Sequence, residues 1–125
     1  MGFVKMLFAS TLLTAATVYA GEADVIEVNA RPTGEGLYSF NVTVRHADEG
    51  WNHYADKWDV VSPDGSVLGT RTLYHPHVDE QPFNRGLSGV KIPEGIDRVT
   101  VRAHDSVHGY GGKTVTVKSL KKYQE

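Results

Sequence analysis

Apolar and polar residues alternate along much of the chain beyond residue 25. Ile26, Val28 and Ala30 form one such run. Tyr38, Phe40, Val42 and Val44 form a cleaner one, and His46 falls next on that face. A period of two sets these side chains on the inward face of half-buried strands. Tyr54, Asp56, Trp58 and Val60 share one face of a third strand, with Trp58 as its core plug. Residues 67–74 and 87–92 supply a fourth and a fifth. Val99, Val101 and Ala103 alternate in a sixth, and Val115 and Val117 in a seventh. Turn-forming clusters separate the runs: Arg-Pro-Thr-Gly-Glu-Gly at 31–36, Ser-Pro-Asp-Gly at 62–65 and Pro-Glu-Gly at 93–95. No long stretch has helical periodicity. The pattern predicts an all-β fold, a seven-stranded antiparallel sandwich.

The first twenty residues fall outside that pattern. Lys5 is followed by an uncharged stretch, 6–18, and Val18-Tyr19-Ala20 is a small-x-small cleavage site. These features predict a secretory signal peptide over 1–20 and a single mature domain over 21–125, periplasmic or secreted. The leader's apolar core is short for a membrane span and no later run is longer, so no span is expected in the mature chain.

Composition narrows the chemistry. There is no cysteine to carry a disulfide, a lipid anchor or a reactive thiol, and both methionines, Met1 and Met6, lie in the leader. The mature domain therefore has no sulfur, which removes the soft ligands that favour Cu(I). Its net charge of −3, from 12 Lys and Arg against 15 Asp and Glu, gives no general attraction to nucleic acid.

All six histidines lie in the mature domain. Strands of an antiparallel sandwich run alternately up and down, so their connections alternate between two ends. The 31–36, 62–66 and 93–98 connections share one end and hold no histidine. The 47–54, 75–86 and 105–112 connections, with the adjoining strand tips, hold His46, His53, His75, His77, His104 and His108. Trp51, Tyr54, Tyr74, Phe83, Tyr110, Asp48, Glu49, Asp79 and Glu80 fall at that same end.

Neutral imidazoles gathered there suit a divalent metal, Zn or Cu(II). His75 and His77 have i, i+2 spacing, which puts both rings on one face of an extended segment that Pro76 stiffens. With His104, His108 and His53 they form the expected ligand set. His46, Asp79 and Glu80 stand behind as supporting groups. His46, on the inward face, reads as a hydrogen-bonded core histidine before a ligand, and His104 shares parity with the surface positions Thr100 and Arg102. No nucleophile motif is present, and His104 and Asp105, being neighbours on a strand, point to opposite faces and make no dyad. A binding role is therefore expected in preference to catalysis. The alternative is a metal-free module in which Trp51, Tyr54 and Tyr110 take an exported protein partner or a carbohydrate.

The order and length of the strands resemble an immunoglobulin-like or fibronectin type III-like domain, without the cysteine pair of antibody domains. Two stretches, His46-Ala-Asp-Glu-Gly-Trp-Asn-His-Tyr-Ala-Asp-Lys-Trp and Arg102-Ala-His-Asp-Ser-Val-His-Gly-Tyr-Gly-Gly, are similar to stretches of small exported bacterial proteins of unassigned function.

Overall fold

Trp58, Tyr38, Phe40 and Phe83 are the largest side chains sealed from water, and two antiparallel sheets contribute them. The structure, a computed structural model, describes residues 21–120. The expected signal peptide and the last five residues lie outside the described residues. Eight strands follow in order: β1 (Asp24–Gly34), β2 (Leu37–Arg45), β3 (Ala55–Val61), β4 (Val67–Thr72), β5 (Phe83–Lys91), β6 (Val99–Asp105), β7 (Gly109–Tyr110) and β8 (Val115–Val117). One sheet has the order β1-β2-β5. The other has the order β4-β3-β6, with β7 and β8 both paired to β6.

The alternation in β2 is realised residue for residue: Tyr38, Phe40, Val42 and Val44 are all buried. In β1 the pattern is shifted. A bulge between Val25 and Glu27 turns Val25 into the core and leaves Ile26 half-exposed, while Val28 and Ala30 keep the inward face. A bulge offsets successive side chains by one position, which strict alternation does not anticipate. A second bulge, between Ala55 and Lys57, lets Ala55 and Trp58 both point inward and turns Asp56 aside. The fifth strand starts at Phe83, four residues before the expected boundary, because Phe83 pairs with Val44 and fills the core.

The expected seventh strand is β8, and an eighth, the two-residue β7, forms inside the connection expected over 105–112. β7 pairs with the C-terminal end of β6 (His104↔Tyr110) and β8 with its N-terminal end (Val99↔Val117). Between them the chain leaves β6 to hold the start of β1. The Val25 N–H donates to the Lys113 carbonyl at 2.8 Å, and the Lys113 N–H donates to Asp24 Oδ1 at 2.8 Å. Gly112 allows that approach: a Cβ there would lie 2.0 Å from the Ala23 carbonyl oxygen. Segment 22–25 is thereby fixed against the second sheet.

The registers also gather the strand tips that matter. Val44 lies opposite Phe83 in one sheet, and Ala55 lies opposite Asp105 in the other. The end of β2, the end of β6 and the starts of β3 and β5 thus share one end of the molecule, with the 46–54 loop between them.

Candidate metal centre

His46 continues the inward face of β2 one step past its end, and Asp105 continues the inward face of β6. Both side chains are fully sealed from water, and they meet: His46 Nε2 contacts Asp105 Oδ2. That contact joins the tips of the two sheets. A third group comes from the 46–54 loop. The Glu49 N–H donates to the His53 carbonyl at 2.8 Å, and Gly50, at φ +97, allows the tight reversal. The turn folds His53 back over Asp105, with His53 Nε2 2.7 Å from the same Oδ2.

The two oxygens of Asp105 are divided in their tasks. Oδ1 accepts the N–H groups of Val107 (2.6 Å) and His108 (2.7 Å), which shapes the turn after β6. Oδ2 is left to the two imidazoles. Each imidazole is in turn tied at its other nitrogen to a carboxylate: His46 Nδ1 to Asp48 Oδ1, and His53 Nδ1 to Glu49 Oε1 at 2.7 Å. Carboxylates bound at Nδ1 fix ring orientation and leave Nε2 as the outward-facing ligand atom, which is the usual support of metal-binding histidines. His46, His53 and Asp105 are the one group of three such side chains among the described residues whose ligand atoms lie within 4.8 Å of one another. The Gly21 carbonyl oxygen closes the fourth side, 3.2 Å from both Nε2 atoms. Tetrahedral Zn with ligands at about 2.0–2.1 Å has ligand edges of roughly 3.3 Å. The two edges to Gly21 match that spacing, and the edges to Asp105 are shorter.

Ionised carboxylates only accept hydrogen bonds. The two contacts of each ring are therefore both hydrogen bonds only when the ring carries two protons, and an ion bound at Nε2 would take the place of one. The Glu49 contact raises the pKa of His53, burial works against it, and Asp105 and the Gly21 carbonyl add to the rise. Burial pushes the Asp105 carboxyl up, but the N–H groups of His108 and Val107 and the two histidines outweigh it, so its pKa is lowered.

Asp48 links this cluster to the 73–82 connection. Its Oδ1 also accepts the Ala55 N–H at 3.1 Å, and its Oδ2 accepts the His77 N–H at 2.6 Å. Gln81 reinforces the link, accepting the His46 N–H and donating to the His77 carbonyl, both at 2.9 Å. His77 is buried and stacked on Phe83, ring centroids 4.1 Å apart, and neither ring nitrogen has a hydrogen-bond partner. Burial, aided by the Arg85 charge, lowers its pKa. His75 is exposed beside it, with the ring centroids 5.2 Å apart.

The expected ligands are thus distributed over three places. His53 and His108 lie at the Asp105 cluster, where the His53 and His108 ring centroids are 4.9 Å apart and His108 Nδ1 is 3.3 Å from Asp105 Oδ1. His75 and His77 line a neighbouring groove with Trp51, Asp79 and Glu80. Glu80 pairs with Arg85 at 3.0 Å. His104 is on the outer face of β6, where its Nδ1 meets Asp56 Oδ1 at 2.6 Å and its ring meets Tyr110. Tyr110 itself donates to Asp59 at 2.5 Å under the Arg102 guanidinium. The Tyr54 backbone is bonded to Ser106. Asp105, Asp48 and Gly21 were not among the expected site residues. Parity was the available signal for Asp105, which follows Val101 and Ala103 on the inward face just as His46 follows Val44.

No family profile and no solved structure matches the chain. A protein of Halomicrobium mukohataei named "Putative lipoprotein" is 42% identical over 96 residues, which cover 77% of this chain and 47% of that protein. The chain spans about half the length of that relative.

Proposed function

We propose that this is an exported binding protein that holds a divalent metal, Zn or Cu(II), through His46 Nε2, His53 Nε2 and Asp105 Oδ2. The observation that carries the reading is the convergence of two imidazoles, each held at Nδ1 by its own carboxylate, on one oxygen of a buried aspartate. Two nitrogens and one oxygen suit either ion. Compared with the set expected from spacing, His53 stays, His46 moves from support to ligand, and Asp105 enters. His75 and His77 adjoin through Asp48. Export is supported by the leader pattern and by the relative's name as a lipoprotein. Two antiparallel sheets, β1-β2-β5 and β4-β3-β6 with β7 and β8 both on β6, support the immunoglobulin-like reading.

The test is metal titration of untagged protein followed by thermal unfolding. A ligand that binds only the folded state adds about 2.7 kcal/mol at a hundredfold excess over Kd. Zn²⁺ or Cu²⁺ should raise Tm, EDTA should reverse the rise, and His53→Ala should abolish it. A wild-type Tm that ignores both ions sinks the reading.

The rim supports a second reading. Trp51, 67% exposed, and Val78, 55%, line the groove beside His75, and Tyr74, the residue before His75, is 75% exposed. Exposed aromatic side chains are the usual anchors of a partner surface. A metal-free module for an exported protein or a carbohydrate would lose binding on Trp51→Ala and be indifferent to EDTA.

A further inference from the structure

Gly21 is the residue that follows the expected cleavage site, and its carbonyl oxygen is 3.2 Å from His46 Nε2 and 3.2 Å from His53 Nε2. These are the two nitrogens assigned to the ion. A Cβ there would lie 2.7 Å from His108 Cε1. The residues that follow are anchored. Ala23 is 1% exposed, and Val25 and Asp24 are bonded to Lys113. One glycine thus stands both at the processing point and in the ligand cluster.

We propose that the mature amino terminus is itself a ligand: Gly21, released by cleavage after Ala20, binds the ion through its α-amine and carbonyl oxygen together with His46, His53 and Asp105. The inference rests on the metal reading above. Hydrolysis of the Ala20–Gly21 amide by a signal peptidase takes up one water and leaves a carboxylate on Ala20 and an amine on Gly21. Before the cut the Gly21 nitrogen is an amide, with its lone pair delocalised into the carbonyl. After the cut it is an amine, whose lone pair is localised on nitrogen and available to a metal once its proton is displaced. Amine nitrogen and carbonyl oxygen of one residue close a five-membered chelate ring, and the anchored 22–25 segment holds that ring where the imidazoles converge. Removal of the leader therefore completes the site, and full metal affinity appears only in the exported protein. Three nitrogens with carboxylate and carbonyl oxygens favour Cu(II) over Zn.

Two preparations of the mature chain test this: one with a free Gly21 amine, one with that amine acetylated, each with and without His53→Ala. Affinity for Cu²⁺ is read by competition with a chelator, and coordination by electron paramagnetic resonance with ¹⁵N at Gly21. The free-amine protein should bind at least about tenfold more tightly, since a preorganised ligand is lost on acetylation. It alone should show coupling to ¹⁵N. Equal affinity in the two preparations, with His53→Ala weakening both, overturns the terminal ligand and leaves the metal site standing. No binding by either preparation overturns both. Amino-terminal sequencing of the exported protein should begin at Gly21, and any other start overturns the inference.

Discussion

Asp48 holds the Nδ1 edge of His46, two residues before it, and so determines which nitrogen of that ring faces Asp105. The same carboxylate accepts the N–H groups of Ala55 and His77, so it binds three chain segments at the end of the sandwich. Its side chain is fully buried. Asp48→Ala would leave two buried N–H groups and one imidazole edge without partners, at a cost of roughly 3–5 kcal/mol. Urea unfolding should show that loss, and a change below about 1 kcal/mol would refute the role given to Asp48.

Gly112 sets how closely the 111–114 segment approaches β1. A Cβ at this position would lie 2.0 Å from the Ala23 carbonyl oxygen and 2.6 Å from Asp24 Oδ1, and the carbonyl is backbone that cannot swing aside. Gly112→Ala should therefore cost about 1–3 kcal/mol and free the start of β1. Hydrogen exchange at the Val25 N–H, which donates to Lys113, reads this directly. Unchanged protection in the variant would mean that the close approach is not needed.

Much of the fold was legible because alternation reports one thing well, the side of a strand on which a residue lies. It placed Tyr38, Phe40, Val42, Val44 and Trp58 in the core and His46 beside them. It also turned His104 outward with Thr100 and Arg102, where Asp56 takes it. Alternation fails at bulges, hence the exchange of Ile26 for Val25. It does not report which strand tips meet across two sheets, and the centre is made of such meetings: His46 with Asp105, 59 residues apart, and Gly21 with His53, 32 apart. Spacing drew attention to His75 and His77, whose rings do adjoin. The ring nitrogens of His77, however, are sealed against Phe83 without hydrogen-bond partners, and the Asp48 carboxylate stays 4.0 Å from Nδ1.

That sealed ring has a consequence in acid. Burial holds the pKa of His77 below its ordinary 6.5. A base with a depressed folded-state pKa imposes no proton cost at high pH, where the ring is neutral in both states. As pH falls below 6.5 the unfolded chain takes up the proton first, and stability drops until the folded-state pKa is passed. His77→Leu should remove this part of the acid loss while keeping the main-chain N–H to Asp48. The variant should gain on wild type steadily as pH is lowered from 7 to about 5. A constant difference in unfolding free energy across that range would contradict it.

Asp59 behaves oppositely. It is 2% exposed, and burial pushes its carboxyl up, but hydrogen bonds from Tyr110, Thr70 and Arg102 more than offset that and hold its pKa below 3.8. The stabilisation is therefore complete above the ordinary carboxyl value and disappears as pH falls through the depressed one. Tyr110→Phe deletes one donor to this charge and keeps the ring under the Arg102 guanidinium, 3.9 Å from the centroid. A hydrogen bond to a charged group contributes about 1.5–3 kcal/mol, and the 40% exposure of Tyr110 places this one at or below the lower figure. Wild type should exceed the variant by roughly 1 kcal/mol at pH 7, and the gap should close as the pH is taken below 3.8. A gap that persists in strong acid would mean that the phenol stabilises the sheet through packing and not through the Asp59 charge.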